Sequence, residues 1–216
     1  MTLDHASNSQ PAGSIAMQPK KQMKKAARKL LAADERAYQV VEPYQDTLPI
    51  QVLSAVGAVG DQGPLRLVAA ATGLGGLLLR DRQLMRAAIR MIISHELATA
   101  LKNVVKRRVE RSRPEHAKDR DDRKLRKGKR TAKAVTSFPS GHSAGSIAVA
   151  RAFTREFPEH STPALGIAVT IAGAQVPRCS HYVTDVAAGL AVGAVAEAIV
   201  NAVWNGVSQK SQDECA

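Results

Sequence analysis

Three short stretches of the chain hold side chains whose types and spacing suit phosphate chemistry: Lys106 to Arg113-Pro114, Pro139-Ser140-Gly141-His142, and His181 with Asp185. A phosphoryl group being displaced spreads negative charge over its equatorial oxygens, so a site that hydrolyses it needs fixed cations and amide donors around that charge. Lys106 and Arg113 are suitable cations, and arginine's planar fork meets phosphate oxygens two at a time. Ser140 and Gly141 offer a hydroxyl and an unobstructed backbone N–H, the more effective if they open a helix whose free N–H groups face the anion. The apolar run 147–150 after His142 fits such a helix. Asp185 follows His181 by one helical turn, on the same face, where it can keep one ring nitrogen protonated and leave the other free to attack. His142 has no such partner nearby in sequence and is expected to protonate the leaving oxygen.

Singly, each signal has an ordinary alternative. Lys106 and Arg113 sit among 31 lysines and arginines, where a solvated basic face is the simpler reading. Pro-Ser-Gly-His also reads as a turn leading into a helix cap, and His181 with Asp185 reads as a surface pair. It is the order of all three that is specific. Lys-x6-Arg-Pro, then Pro-Ser-Gly-His, then His-x3-Asp resembles the type 2 phosphatidic acid phosphatase superfamily, which includes lipid phosphate phosphatases, bacterial class A acid phosphatases and vanadium haloperoxidases. The match runs from Lys106 to Asp185, and the central tetrapeptide is its most specific part. The resemblance implies an all-helical core and a phosphohistidine intermediate. It assigns His181 as nucleophile, Asp185 as its orienting partner and His142 as general acid, with Lys106, Arg113, Ser140 and Gly141 binding phosphate. In the phosphatase branch it implies no metal and no other cofactor.

One position departs from the pattern. The third motif of the superfamily reads Ser-Arg-x5-His, but Ala174 and Gln175 stand where the serine and the phosphate-binding arginine belong. Arg178 lies three residues further on, close to one helical turn, and is expected to replace the missing cation in part. Pro177 intervenes. If the replacement fails, the chain is instead a catalytically weakened member of the superfamily that acts as a membrane binding or scaffold protein. A vanadate-holding, haloperoxidase-like enzyme is the third reading, disfavoured by the short chain.

The elements that must position these residues are helical. Apolar, small-residue segments recur at 48–59, 65–79, 84–101, 143–153, 163–176 and 186–203, separated by Gly60-Asp61-Gln62-Gly63-Pro64, Arg80-Asp81-Arg82, a long basic stretch, Phe157-Pro158 and the third motif. The expected fold is therefore an all-α bundle of about six helices, with the basic loop between the third and fourth. Residues 1–45 are expected to form a basic, disordered tail, 46–205 the helical phosphatase-like domain, and 206–216 a polar C-terminal tail. No continuous apolar stretch follows the basic N-terminal residues, so that segment is not a secretory signal peptide.

At 216 residues and 44% hydrophobic content the chain can bury a sizeable core, but with 3% aromatic residues it must pack through Ala, Val, Leu, Ile and Gly. Cys179 and Cys215 are too few for a disulfide framework. The bundle is expected to cross a membrane. A spanning helix needs about 20 apolar residues, which only 186–203 approaches, and the mean hydropathy of −0.18 is low. Gly189 and Gly193, four apart, suit close helix packing in lipid. Charges inside the bundle, such as Arg90 and Glu96, share no helix face and need partners on other helices. Counting six crossings with the N-terminal tail in the cytoplasm puts all three motifs on the outer face, as in an inner-membrane enzyme acting on a lipid phosphate or polyprenyl diphosphate. The basic stretch 107–133 then lies outside, against the usual bias. Despite a net charge of +12, no aromatic residues interleave those cations, and nucleic-acid binding is not expected.

Overall fold

The computed structural model describes residues 17–117, 123–128 and 132–213. Its helices are α1 (Met17–Val41), α2 (Leu48–Ala58), α3 (Gln62–Leu79), α4 (Arg82–Lys106), α5 (Gly141–Thr154), α6 (Ser161–Gly173) and α7 (Val183–Asp213). Each of the six apolar segments becomes one helix, α2 to α7, and the expected breakers end them for identifiable reasons. Arg80 adopts a left-handed conformation that closes α3. Asp81 then caps α4, its Oδ1 accepting from the backbone N–H groups of Gln83 at 2.7 Å and Leu84 at 3.1 Å.

With so few aromatic side chains, the helices close on small residues. Ala98, Ala148 and Ala196 meet where α4, α5 and α7 adjoin, and Leu65, Ala69, Met91, Val149 and Ala152 form a second cluster against α3. The pair Gly189 and Gly193 works as the spacing suggests. A Cβ at Gly189 would run into the carbonyl oxygen of Ser140, and one at Gly193 into that of Ala144. These two glycines let α7 lie directly on the α5 backbone, and Gly189 thereby supports the Pro-Ser-Gly-His turn.

Charged side chains inside the bundle find partners on other helices. Arg90 of α4 meets Glu156 at 2.8 Å and donates to Asn201 of α7 at 2.9 Å. Glu197, 1% exposed, accepts from Arg151 at 2.9 Å and Arg155 at 2.7 Å. A buried carboxylate left unpaired would be costly, so these contacts are what permits charge at such depth. Glu96, expected inside the bundle, is instead half-exposed, where Arg66 of α3 grips it with two bonds, at 2.7 and 2.9 Å.

Four expectations need correction. Residues 17–41 of the supposed disordered tail form α1, which docks on the bundle through Asp34; residues 1–16 lie outside the described residues. The polar C-terminal tail is helical as far as Asp213, because α7 simply continues. The basic loop between α4 and α5 is not only a solvated connection: it contains a short antiparallel ribbon of β1 (Val109–Glu110) and β2 (Arg126–Lys127), and Arg111 beside it is buried.

The fourth correction concerns helix counting. Glu42 and Asp46, just before α2, lie near enough to Cys179 to help burial push its thiol up to about 11, while Gly57 near the end of α2 faces Ala174, Gln175 and Arg178. Both ends of α2 therefore lie at the end of the bundle where the third motif sits. This 11-residue helix thus begins and ends near the third motif. The α1 segment from Asp34 onward lies at the same end as the phosphate motifs, whereas the counting had set the N-terminal segment opposite them.

Candidate active site

The start of α3, the end of α4, the start of α5 and the turn between α6 and α7 surround a cleft of about 360 Å³. Lys106, Arg113, Gly141, His142, Arg178 and His181 all line it. Ser140 and Asp185 stand directly behind, fully buried, and are tied together by a 3.0 Å bond from Ser140 N–H to the Asp185 carbonyl. That bond joins the second motif to the third.

Ser140 is the N-cap of α5. Its Oγ accepts from the Ser143 N–H at 3.4 Å and the Ser143 hydroxyl at 2.9 Å, so its chief structural work is to hold the helix start that presents Gly141 to the cleft. Gly141 also leaves room for Lys102, whose Nζ would lie 3.3 Å from a Cβ at that position. Lys102 is almost wholly buried and lines the same cleft. It lies one turn before Lys106, on the same face of α4, and that spacing was the signal available for it in the sequence. Lys106 is held in place by a 2.6 Å bond from its Nζ to the Thr136 carbonyl.

The two histidines face each other with ring centroids 6.4 Å apart and planes inclined by 64°. His181 Nδ1 is 3.7 Å from Asp185 Oδ2, with both side chains buried. This is ion-pair range, longer than a hydrogen bond, and Nδ1 has no other acceptor. Such catalytic contacts commonly tighten only when substrate arrives. Burial holds the His181 imidazole below its usual pKa, with Arg113 and Lys106 pushing the same way and Asp185 opposing them. The ring is therefore neutral at neutral pH. His142, for which the sequence offered no partner, has one from outside its motif: its Nε2 lies 2.9 Å from Oδ1 of Asp61, at the start of α3.

The region of the missing arginine is occupied from two positions. Gln175 is fully buried, its Nε2 donating to the Ile171 carbonyl at 3.2 Å while its Oε1 has no hydrogen-bond partner. Arg178 reaches the cleft from the turn beyond, and its buried Nη1 likewise has no hydrogen-bond partner. A buried guanidinium N–H with nothing to donate to is poised for an anion.

Behind the dyad is a residue that sequence reasoning left among the solvated cations. Arg111 is 2% exposed. Its Nη1 donates to Asp185 Oδ1 at 2.7 Å and its Nη2 to Asp34 Oδ2 at 2.6 Å, while its guanidinium lies 3.7 Å above the Tyr182 ring. With Oδ2 also accepting from the Tyr182 N–H at 3.1 Å, Asp185 is fixed in orientation and kept ionised.

A helical bundle that gathers two histidines, a helix N-terminus and several cations in one cleft defines an anion-binding site with acid–base and nucleophilic groups. The chain belongs to the PAP2 superfamily, whose pattern matches residues 87–208, more than half of its length. It is 37% identical over 93 residues to a lipid A 1-phosphatase of Rhizobium etli, covering 43% of this chain and 40% of that protein. A lipid A 1-phosphatase of Rhizobium johnstonii is 36% identical over 94 residues, covering 44% and 38% respectively. The alignments thus span about two fifths of the length of these curated relatives. Among solved structures, a transmembrane PAP2-type phosphatidylglycerolphosphate phosphatase from Bacillus subtilis superposes with a TM-score of 0.61 at 20% identity, covering 88% of this chain and 98% of that one. LpxE of Aquifex aeolicus gives 0.53 at 16% identity, covering 76% and 91%. At those identities the likeness is one of fold.

Proposed function

We propose that this protein is a membrane-embedded phosphatase that removes phosphate from a lipid phosphomonoester or diphosphate through a phosphohistidine on His181. The observation that carries the reading is the neutral, buried His181 facing His142 across a cleft lined by Lys102, Lys106, Arg113 and Arg178. The four cations hold the phosphoryl oxygens and the charge that grows on them. Burial, with His181, Arg178 and Arg113 pushing the same way, holds His142 down at about 4 in the empty cleft, so it takes up its proton only when the phosphate's negative charge joins Asp61 beside it. With Nδ1–H turned to Asp185, Nε2 of His181 attacks phosphorus as the bond to the leaving oxygen breaks, and His142 in that protonated form delivers its proton to the leaving oxygen. Water then attacks phosphorus, the bond to His181 Nε2 breaks, and the water gives a proton to His142. Phosphate leaves, and His181 returns to its neutral state.

In this reading Arg178 supplies part of what the absent arginine would. Arg178→Ala is expected to lower kcat/KM for a lipid phosphate by about 100-fold, the order of losing one transition-state donor. Measured phosphate release at the wild-type rate would remove Arg178 from the site.

Membrane insertion is supported by the outward faces of the bundle. Leu67, Leu74, Leu77 and Leu78 of α3, Ile167 and Val169 of α6, and Val195, Val203 and Val207 of α7 are all exposed, a broad apolar belt of the sort that needs lipid or a partner to cover it. Among the described residues one helix segment, Val183–Val207, is long and apolar enough to span, with mean hydropathy 1.9 and a third of it buried in the protein. The lipid A and phosphatidylglycerolphosphate phosphatases named above act on lipid-borne phosphate by their names, which favours the same class here.

Charge favours one orientation. The cleft end carries Arg28 and Arg36 of α1 beside Arg123 and Lys124, and the cations around β1 and β2, whereas the far end carries Arg80, Arg82 and Arg155. Lysine and arginine accumulate on the cytoplasmic side, so we place the cleft on that side, against an anionic leaflet, and not on the outer face that helix counting implied. A cysteine introduced at Lys127 in a Cys215→Ser background is expected to escape membrane-impermeant thiol reagents in intact cells. Ready labelling would contradict this orientation.

A further inference from the structure

We propose that Asp34 of α1 is a positioning residue for the His181–Asp185 dyad, acting through Arg111 to set the basicity of His181. The inference rests on the reading of His181 as nucleophile.

Asp34 is the one buried residue among the described side chains of α1. A surface helix ordinarily docks through an apolar stripe, and docking through a carboxylate is tolerable only if every oxygen is paired. Here that holds. Oδ1 accepts from the Thr184 backbone N–H at 3.0 Å, and Oδ2 accepts from the Thr184 hydroxyl at 2.5 Å and from Arg111 Nη2 at 2.6 Å. Thr184 is in the first turn of α7, immediately before Asp185, so Asp34 also places negative charge at the positive end of that helix.

Arg111 is shared between two carboxylates, Asp34 and Asp185, at 2.6 and 2.7 Å. The buried trio carries a net charge of minus one. That residual charge matters because the groups facing His181 are mostly cationic: Arg113 from the loop, Lys106 from α4, Arg178 from the turn before it, and His142 from α5, with Glu115 and Asp61 further out on the cleft wall. If the Asp34 charge were lost, Arg111 would neutralise Asp185 alone. The carboxylate would then pull less strongly on the His181 Nδ1 proton, and Nε2 would become a weaker base and nucleophile. The phosphate cage would be untouched.

The test compares wild type with Asp34→Asn and Asp34→Glu in detergent, reading steady-state phosphate release from a lipid phosphate and the NMR titration of the His181 ring. Asp34→Asn is expected to lower kcat about 10- to 100-fold with KM nearly unchanged, and to move the His181 midpoint down by about one pH unit. Asp34→Glu, which keeps the charge, is expected to recover most of both. Equal losses in the two variants, or an unmoved His181 midpoint in Asp34→Asn, would overturn the proposal and leave Asp34 as a packing contact. If Asp34→Asn does not fold, Thr184→Val, which removes one donor to Asp34 and one acceptor from Arg111 but keeps the charge of the trio, must leave the midpoint in place. A wild-type protein that releases no phosphate would sink the phosphatase reading instead, while the titration would still report on Asp34.

Discussion

His181→Ala is expected to abolish phosphate release from lipid phosphates, with kcat falling about 10⁴-fold or more, as it does when a covalent nucleophile is removed. The size of the effect follows from the site. Among the described residues no second histidine or thiol is placed to take over: His142 is engaged with Asp61, and Cys179, which the turn brings close in sequence, is buried with its thiol pushed up to about 11. A thiol that stays protonated is a poor substitute. The four cations are left in place, so substrate binding is expected to survive with KM changed less than about threefold, and equal kcat in variant and wild type would sink the nucleophile assignment.

His142→Ala is expected to slow turnover by about 10²- to 10⁴-fold when the leaving group is a lipid alcohol, and far less when it is nitrophenolate. An alcohol oxygen leaves badly without a proton, and His142 is the group across the cleft from His181 that can deliver one. A nitrophenolate needs no such help. The comparison of the two leaving groups in one variant therefore separates an acid from a residue that merely shapes the cleft, since loss of shape would slow both alike. The pH profile adds an independent reading. Because burial and the neighbouring cations depress His181, its ring stays neutral as pH falls past the usual imidazole value of about 6.5. The acid limb of kcat/KM should lie below that value, activity being lost only as pH falls through the lowered His181 pKa.

The bundle was largely legible because its separators are chemically blunt. Gly60 to Pro64 and Arg80-Asp81-Arg82 end helices whatever the tertiary context, and each apolar segment between such breaks became a helix with ends moved by a few residues. The motif residues could be read in the same way, since their residue types are demanded by phosphate chemistry. What escaped had a weak local pattern or none. The α1 sequence carries Met23, Ala26, Leu30 and Leu31 on one side, but Asp34 interrupts that row and lysines and arginines surround it, so its composition reads as a solvated tail. Arg111 is one cation within a basic run, and nothing in that run distinguishes the buried arginine from the exposed ones around it. Asp61 sits in a turn whose Gly and Pro signal only a break, although it supplies the partner of His142. The outward orientation rested on counting α2 as a crossing, although its length of 11 residues and apolar character suit a short crossing as well as a helix lying across the end of the bundle. Only its neighbours decide between them.

The central claim is that phosphate passes through His181. Rapid quenching of the detergent-solubilised protein during turnover of a lipid phosphate labelled in its phosphoryl group tests it directly. A phosphohistidine on His181 predicts a protein-bound label that is lost in acid and stable in alkali, that maps to the peptide carrying His181, and that is absent from His181→Ala. Turnover that proceeds while the quenched protein stays unlabelled in His142→Ala as well, or label found on any other residue, would contradict it.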